Sequence, residues 1–118
     1  MEITRAYVKS ILPHRDPEGH KGTFGKVYCL CGAVGYTGAP VLAASAAVRS
    51  GSGLVFLGVP EDIWPIVAVK CDSAMPSPLP SQQGKLALAA EDAVRARIDG
   101  CDAVLIGCGM GRSEESDA

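Results

Sequence analysis

Glycine occurs at every third position from 32 to 38, immediately after the apolar run at residues 26–31. This G-x-x-G-x-x-G spacing is close to the dinucleotide-binding pattern G-x-G-x-x-G but does not match it. A second glycine-rich stretch, GCGMG at 107–111, follows another apolar run. Because glycine has no Cβ, its backbone amides can approach a ligand closely, and a following helix start favours an anionic group. Either loop taken alone could equally be a tight turn between a strand and a helix.

Few other side chains have the chemistry of a catalyst. Lys21 precedes the first apolar run and could contact a nucleotide phosphate, with His20 beside it, although an exposed loop lysine needs no ligand. We find no serine nucleophile elbow, no Walker-type lysine and no pair of carboxylates in an apolar setting. We therefore predict no catalytic residue within this chain.

The five cysteines are odd in number and form neither CxxC pairs nor clusters with histidine. This pattern argues against a disulfide framework and against a zinc site, so we predict no metal ligands. Cys29 and Cys31 lie two residues apart in a predicted strand and face the same side of its sheet. We interpret them as small buried hydrophobic residues, with a redox role as the less favoured alternative.

The elements that must position the loops alternate between strands and helices. Apolar runs predict buried strands at 26–31, 53–59 and 102–107, with an uncertain strand near 70–75. Helices are predicted after Thr37, at 60–69 and at 85–100, whereas the proline-rich residues 75–84 are predicted to be a loop. This order predicts an α/β fold in three α/β/α layers around a mostly parallel sheet.

In such a sheet, ligands bind beyond the carboxyl ends of the strands, where the strand order reverses. Both glycine-rich stretches follow strands, so they would face each other across one crevice if the first and last strands are neighbours. Two such loops at one edge favour a binding crevice over two simple turns. After residue 111, Ser113 could cap a further helix, which leads us to expect an incomplete domain with an exposed apolar face that favours self-association.

Composition excludes several classes of partner. The chain of 118 residues has a formal net charge of -2 and no basic stripe with interleaved aromatic residues, so we predict no nucleic-acid binding. No segment approaches the roughly 20 apolar residues that span a bilayer, and scattered basic residues argue against binding to a membrane surface. The N-terminus lacks the apolar core of a signal peptide, which predicts a cytoplasmic location.

Beyond these patterns, most of the chain, from about 14 to 113, resembles the ADP- or ATP-dependent NAD(P)H-hydrate dehydratases. HKGTFG at 20–25 is similar to the family's HKG-(T/S)-(F/Y)-G, and residues 32–39 are similar to its G-(S/A)-x-x-Y-x-G-A loop. Residues 49–55 are similar to R-x-G-(A/S)-G-L-V. DAVLIGCGMGR at 102–112 resembles D-A-x-x-I-G-P-G-L-G-R, with Cys108 in place of proline and Met110 in place of leucine.

The resemblance implies a ribokinase-like fold and the repair of hydrated NADH or NADPH. ADP or ATP, with Mg²⁺ as a further candidate, would phosphorylate the ring hydroxyl, and elimination of phosphate would leave AMP or ADP. Ala39 and Gly109 match family positions that contact the hydrated dinucleotide. The candidate substrate-binding residues of the first loop are completed by Gly35, Tyr36 and Gly38.

The family's later motifs, H-P-G-E and G-(S/T)-G-D with its catalytic aspartate, are absent and would lie beyond Ala118. We therefore expect residues 1–118 to be the N-terminal part of one dehydratase domain, without dehydratase activity by itself. Two alternatives stay open. The chain could belong to another ribokinase-like small-molecule kinase, or it could be a dinucleotide-binding module without catalysis.

Overall fold

A four-stranded parallel sheet organises the molecule, in a computed structural model that describes all residues from 1 to 118. The helices are α1 (Arg5–Ile11), α2 (Gly38–Arg49), α3 (Trp64–Ala68) and α4 (Glu91–Ile98), the last preceded by a 3₁₀ turn at Leu88–Ala90. The strands are β1 (Lys26–Leu30), β2 (Leu54–Pro60), β3 (Met75–Leu79), β4 (Ser81–Gln82), β5 (Lys85–Leu86) and β6 (Ala103–Ile106). The main sheet has the order β3-β2-β1-β6, and β4 and β5 form a separate antiparallel hairpin.

The sheet separates two apolar clusters, and the predicted three-layer α/β fold is confirmed. On one face, α2 and α3 cover the strands around Cys29, Val55 and Leu57, all of them buried. On the other face, α4 packs against Tyr28 and Leu30. Successive right-handed crossovers to β2 and β3 place their helices on one face, and the return to β6 places α4 on the opposite face.

Helix α2 packs closely on the sheet because its inward residues are small. Ala44 is completely buried. Four other apolar residues of the helix are partly buried and pack against the same cluster, namely Val41, Ala43, Ala47 and Val48. Gly51 follows the last turn with φ +101, the left-handed conformation that glycine adopts without strain. The prediction for this helix is confirmed, except that the Thr37 side chain makes no capping hydrogen bond.

The prediction of a loop at 75–84 is wrong, because β3 and the β4–β5 hairpin occupy most of it. β3 is an edge strand that pairs only with β2. Pro76 and Pro78 alternate with the residues that hydrogen-bond to β2. Their ring nitrogens, which carry no N–H, therefore face the free edge of the sheet, where no hydrogen bond is lost. The Trp64 indole donates to the Pro76 carbonyl at 3.1 Å on that side.

Two helix boundaries also differ from prediction. Pro60 ends β2 rather than starting a helix, and α3 begins at Trp64 with Pro65 in its first turn. The segment at 85–100 begins with β5, so its helix is shorter than predicted. Glu91 and Arg95 form an ion pair at 2.7 Å on the exposed side of this helix. The N-terminal helix α1 was not predicted, and none of its residues is buried.

β6 forms the second edge of the main sheet, and its outer side has no partner strand. All four of its residues are exposed, with Ile106 at 57%. The sequence predicted an exposed apolar face beside this strand, and the four exposed residues of β6 are apolar. No helix in the structure is long and apolar enough to cross a membrane.

Candidate functional site

The two glycine loops meet at the carboxyl edge of the sheet. We define the first glycine loop as residues 32–38 and the second as residues 107–111. They follow β1 and β6, which pair in parallel from Val27↔Ala103 to Leu30↔Ile106. The Gly32 amide donates to the Cys108 carbonyl at 2.9 Å, which joins the loops directly. The predicted convergence at one rim is therefore confirmed.

This rim is the point at which the strand order reverses. From β1 the chain moves outward to β2 and then to β3, and it then returns across β1 to form β6 on the other side. Strand connections that leave in opposite directions open a crevice between the loops above them. The chain order therefore positions the two glycine loops where open α/β sheets bind ligands.

The glycines of the rim differ in what surrounds them. A Cβ on Gly109 would lie 2.7 Å from the Cβ of Ala39 and 3.1 Å from that of Tyr36, so this glycine allows the loops to pack together. A Cβ on Gly35 or Gly38 would meet nothing within 4 Å. Backbone at these two positions is open to an approaching ligand, whereas Gly109 is already in contact with the opposite loop.

The start of α2 places the positive end of a helix dipole at the rim. Gly38 is the first residue of this helix, Thr37 supplies no side-chain cap, and the first turn contains no acidic residue. The Ala39 amide donates to the Tyr36 carbonyl at 3.3 Å and Pro40 has no N–H, so the Gly38 amide and the helix dipole are what this start offers to an anion. The dipole stabilises a nearby anion by about 0.3–1 kcal/mol. Tyr36 stands beside it with 58% of its surface exposed, so its ring is free to stack on a planar ligand.

A third segment at the rim escaped prediction from the sequence. The β4–β5 hairpin turns through Gln83 and Gly84, both with positive φ, and the Gly84 carbonyl accepts a hydrogen bond from the Val34 amide at 2.8 Å. Its Lys85 side chain donates to the Arg112 carbonyl at 2.8 Å. The Gln83–Gly84 pair, at two consecutive turn positions, was the available signal for this hairpin.

A polar cavity of about 390 Å³ lies next to the second glycine loop, a volume typical of small-molecule sites. Its lining includes Lys85, Arg112 and Ser113, together with Glu114 and Glu115, so cationic and anionic groups are mixed. The predicted substrate residues line none of the cavities in the structure. They form an open rim rather than an enclosed pocket.

His20 and Lys21 lie away from this rim. They precede β1, and the backbone of their segment packs against the start of β2, where the Gly53 amide donates to the Phe24 carbonyl at 3.1 Å. The carbonyl of Lys21 lies against Gly53 itself. Both residues therefore occupy the amino edge of the sheet, opposite the glycine loops, and their role at a phosphate stays a prediction.

Buried thiols near the rim are held in the neutral form. Burial raises the pKa of Cys31 to about 12, with smaller contributions from Cys108 and Cys29, and burial also raises the pKa of Cys29. No three His, Cys, Asp or Glu side chains are grouped so that they could hold a metal ion.

Comparison with known proteins decides the family. Residues 27–118 match the family model for NAD(P)H-hydrate dehydratase. The chain belongs to the NAD(P)H-hydrate dehydratase family. The matched segment includes both glycine loops, so the rim described above is part of the region that the family shares.

Individual relatives agree with this assignment. The bifunctional NAD(P)H-hydrate repair enzyme of Moorella thermoacetica is 40% identical over 111 residues, which are 93% of this chain and 21% of that protein. The crystal structure of the ADP/ATP-dependent NAD(P)H-hydrate dehydratase from Bacillus subtilis, co-crystallised with ATP and Mg²⁺, is 36% identical with a TM-score of 0.57. It matches 64% of this chain and 27% of that one.

A third comparison concerns the fold alone. A ribokinase-like superfamily protein from Enterococcus faecalis matches 95% of this chain and 36% of its own, with a TM-score of 0.76 at 20% identity. The predicted ribokinase-like fold is thereby confirmed. The chain spans only about a fifth of the length of the Moorella relative.

Proposed function

We propose that this chain carries part of the dinucleotide site of an ADP- or ATP-dependent NAD(P)H-hydrate dehydratase, a carbon–oxygen lyase that repairs hydrated NADH and NADPH. The observation that carries the proposal is the convergence of the two family-specific glycine loops at the reversal of strand order, joined by the Gly32–Cys108 hydrogen bond. Membership of the family supports the substrate class.

Within this site, the chain's own residues would bind and orient the substrate. The open backbone at Gly35 and Gly38 allows the substrate's pyrophosphate to approach the uncapped start of α2. The exposed Tyr36 ring offers a surface on which a base or the hydrated ring can stack. Ala39 and Gly109, in contact with each other, would form the floor between the two loops.

Catalysis itself would come from outside these residues. We propose that residues 1–118 are the N-terminal part of one dehydratase domain and that ADP or ATP, with its Mg²⁺, binds mainly to a part not contained here. A cytoplasmic location and self-association through an exposed apolar face of the sheet stay predictions from the sequence.

Binding and catalysis can be tested separately. Calorimetric titration of the chain with hydrated NADPH should show binding, while incubation of hydrated NADH with ADP or ATP should not restore NADH absorbance. Gly38→Ala places a methyl group in the open space at the rim, where a ligand would approach, and should weaken binding. Gly100→Ala is the matched control, because its new methyl group makes only an ordinary 3.7 Å contact beyond the end of α4.

The outcomes distinguish the proposed site from a non-catalytic module. Binding that Gly38→Ala weakens and Gly100→Ala does not supports the proposed site. Binding without any recoverable activity, even when the remainder of a dehydratase is supplied, favours a non-catalytic module. Equal binding by both variants, or no heat at millimolar ligand, refutes the placement of the dinucleotide at this rim. The match to the dehydratase family leaves the small-molecule kinase alternative without support.

A further inference from the structure

Two cysteines from different parts of the chain meet where the glycine loops join. The Gly107 amide donates to the Leu30 carbonyl at 3.2 Å, and the Gly32 amide donates to the Cys108 carbonyl at 2.9 Å. These bonds continue the β1–β6 ladder beyond the strands and enclose Cys31 between them. Neighbouring strands lie about 4.8 Å apart, which falls within the range of about 4.4–6.8 Å between the Cα atoms of disulfide-bonded cysteines.

The two cysteines are backbone neighbours across the joined loops but differ in access. Cys31 is completely buried, whereas Cys108 is exposed. The Gly32 amide, next to Cys31 in the chain, donates to the Cys108 carbonyl, which places the two cysteines side by side. A small oxidant in solvent can therefore reach Cys108, and Cys31 is the neighbouring cysteine across the joined loops.

The remaining cysteines are less well placed for this reaction. Cys29 lies opposite Leu105 in the strand pairing, two residues further from the loop, and Cys101 packs with the cluster on the other face of the sheet. Cys71 packs against the cluster beneath α2. Cys31 and Cys108 are the pair that lies where the loops join and has one member exposed to a reagent in solvent.

We propose that hydrogen peroxide converts Cys31 and Cys108 into a reversible disulfide that joins the two glycine loops. The Cys108 thiolate attacks one peroxide oxygen, which breaks the O–O bond and yields a sulfenic acid and one water. The Cys31 sulfur then attacks the Cys108 sulfur and displaces hydroxide, which leaves as a second water with the Cys31 proton. Two thiols thus lose two electrons and two protons, and peroxide is reduced to two waters.

Such a bond would act on the rim of the candidate site. It would pull Cys108 toward β1 and hold the neighbouring Gly107 and Gly109 in one arrangement against the first glycine loop. Oxidation would then fix the geometry on which ligand access depends. Formation of the disulfide itself does not depend on the proposed dehydratase function, so the two can fail separately.

The test is peptide mapping of the whole chain after treatment with hydrogen peroxide. Free thiols are blocked with iodoacetamide, and the unreduced protein is digested with trypsin. Peptide 27–49 should appear joined to peptide 98–112, two hydrogens lighter than their sum, and fragmentation should locate the bond between Cys31 and Cys108. Dithiothreitol should return both peptides to the reduced form.

Each of these peptides contains a second cysteine, which provides matched controls. Cys108→Ser should abolish the joined peptide, whereas Cys29→Ser and Cys101→Ser should retain it. A bond located at Cys29 or Cys101, or an over-oxidised Cys108 without any joined peptide, overturns the proposal. If the Cys108 variant fails to fold, fragmentation of the peptides from the unaltered chain still decides the pairing.

Discussion

Replacing Gly109 by alanine should separate the two glycine loops and destabilise the fold. Two costs combine at this position. Gly109 has φ +69, a conformation that costs an L-residue about 1–2 kcal/mol. In addition, the new Cβ would lie 2.7 Å from Ala39 Cβ and 3.1 Å from Tyr36 Cβ, closer than two such atoms can pack. Overpacking of this kind costs about 1–3 kcal/mol, so the total is about 2–5 kcal/mol.

Gly35→Ala isolates the first cost from the second. Gly35 has φ +89, so alanine there suffers similar backbone strain, but its Cβ would meet nothing within 4 Å. We therefore expect Gly35→Ala to lower the free energy of unfolding by about 1 kcal/mol, since the stiffer unfolded chain offsets part of the strain. The difference between the two variants measures the contact between the loops.

Urea denaturation followed by circular dichroism measures both variants against the unaltered chain. With a slope of about 1–3 kcal/mol per molar urea, a 2 kcal/mol difference separates the two midpoints by roughly 1 M. The same midpoint for Gly109→Ala and Gly35→Ala, at an unchanged slope, would show that the loops do not pack as described. The candidate site would then lose its structural basis.

Two further predictions concern the buried Cys31, which follows β1, and Asp102, which precedes β6. Because burial raises the pKa of Cys31 to about 12, its neutral thiol stabilises the fold at neutral pH, and we expect stability to fall by about 1.4 kcal/mol per pH unit between about 9 and 12. Cys31→Ala should reduce that slope in urea titrations, and an unchanged slope contradicts the assignment. Asp102→Ala removes the carboxylate that accepts from the Lys26 amide at 2.8 Å and should cost about 1 kcal/mol by thermal melting. The exposed Asp99→Ala serves as the control, and equal losses would refute the role of Asp102.

The buried strands could be predicted because their apolar runs are short and continuous. β1 and β2 lie between covering helices, so both faces require apolar residues and the sequence shows little alternation. Edge strand β3 could not be recognised in the same way, because Pro76 and Pro78 are typical of loops. Only the pairing with β2 reveals that their nitrogens face away from the sheet.

The candidate site was predicted in part for a topological reason. Loops that follow parallel strands must emerge at one edge, so the convergence of the glycine loops required only that β1 and β6 be neighbours. The same rule argues against a shared site with His20 and Lys21, since both precede β1 and must lie at the opposite edge. The β4–β5 hairpin and Lys85 could not be placed without knowing where the proline-rich segment runs.

Glycines that look equivalent in the sequence therefore have different physical roles. Gly109 lacks a Cβ because Ala39 and Tyr36 occupy that space, which makes it a packing residue of the rim. Gly35 and Gly38 face open space, so no neighbouring side chain requires glycine there, although Gly35 needs it for its positive φ. Gly38, the first residue of α2, has neither reason, since its φ is not positive and no atom crowds the position of a Cβ. Clearance for a bound dinucleotide is the role that we propose for it.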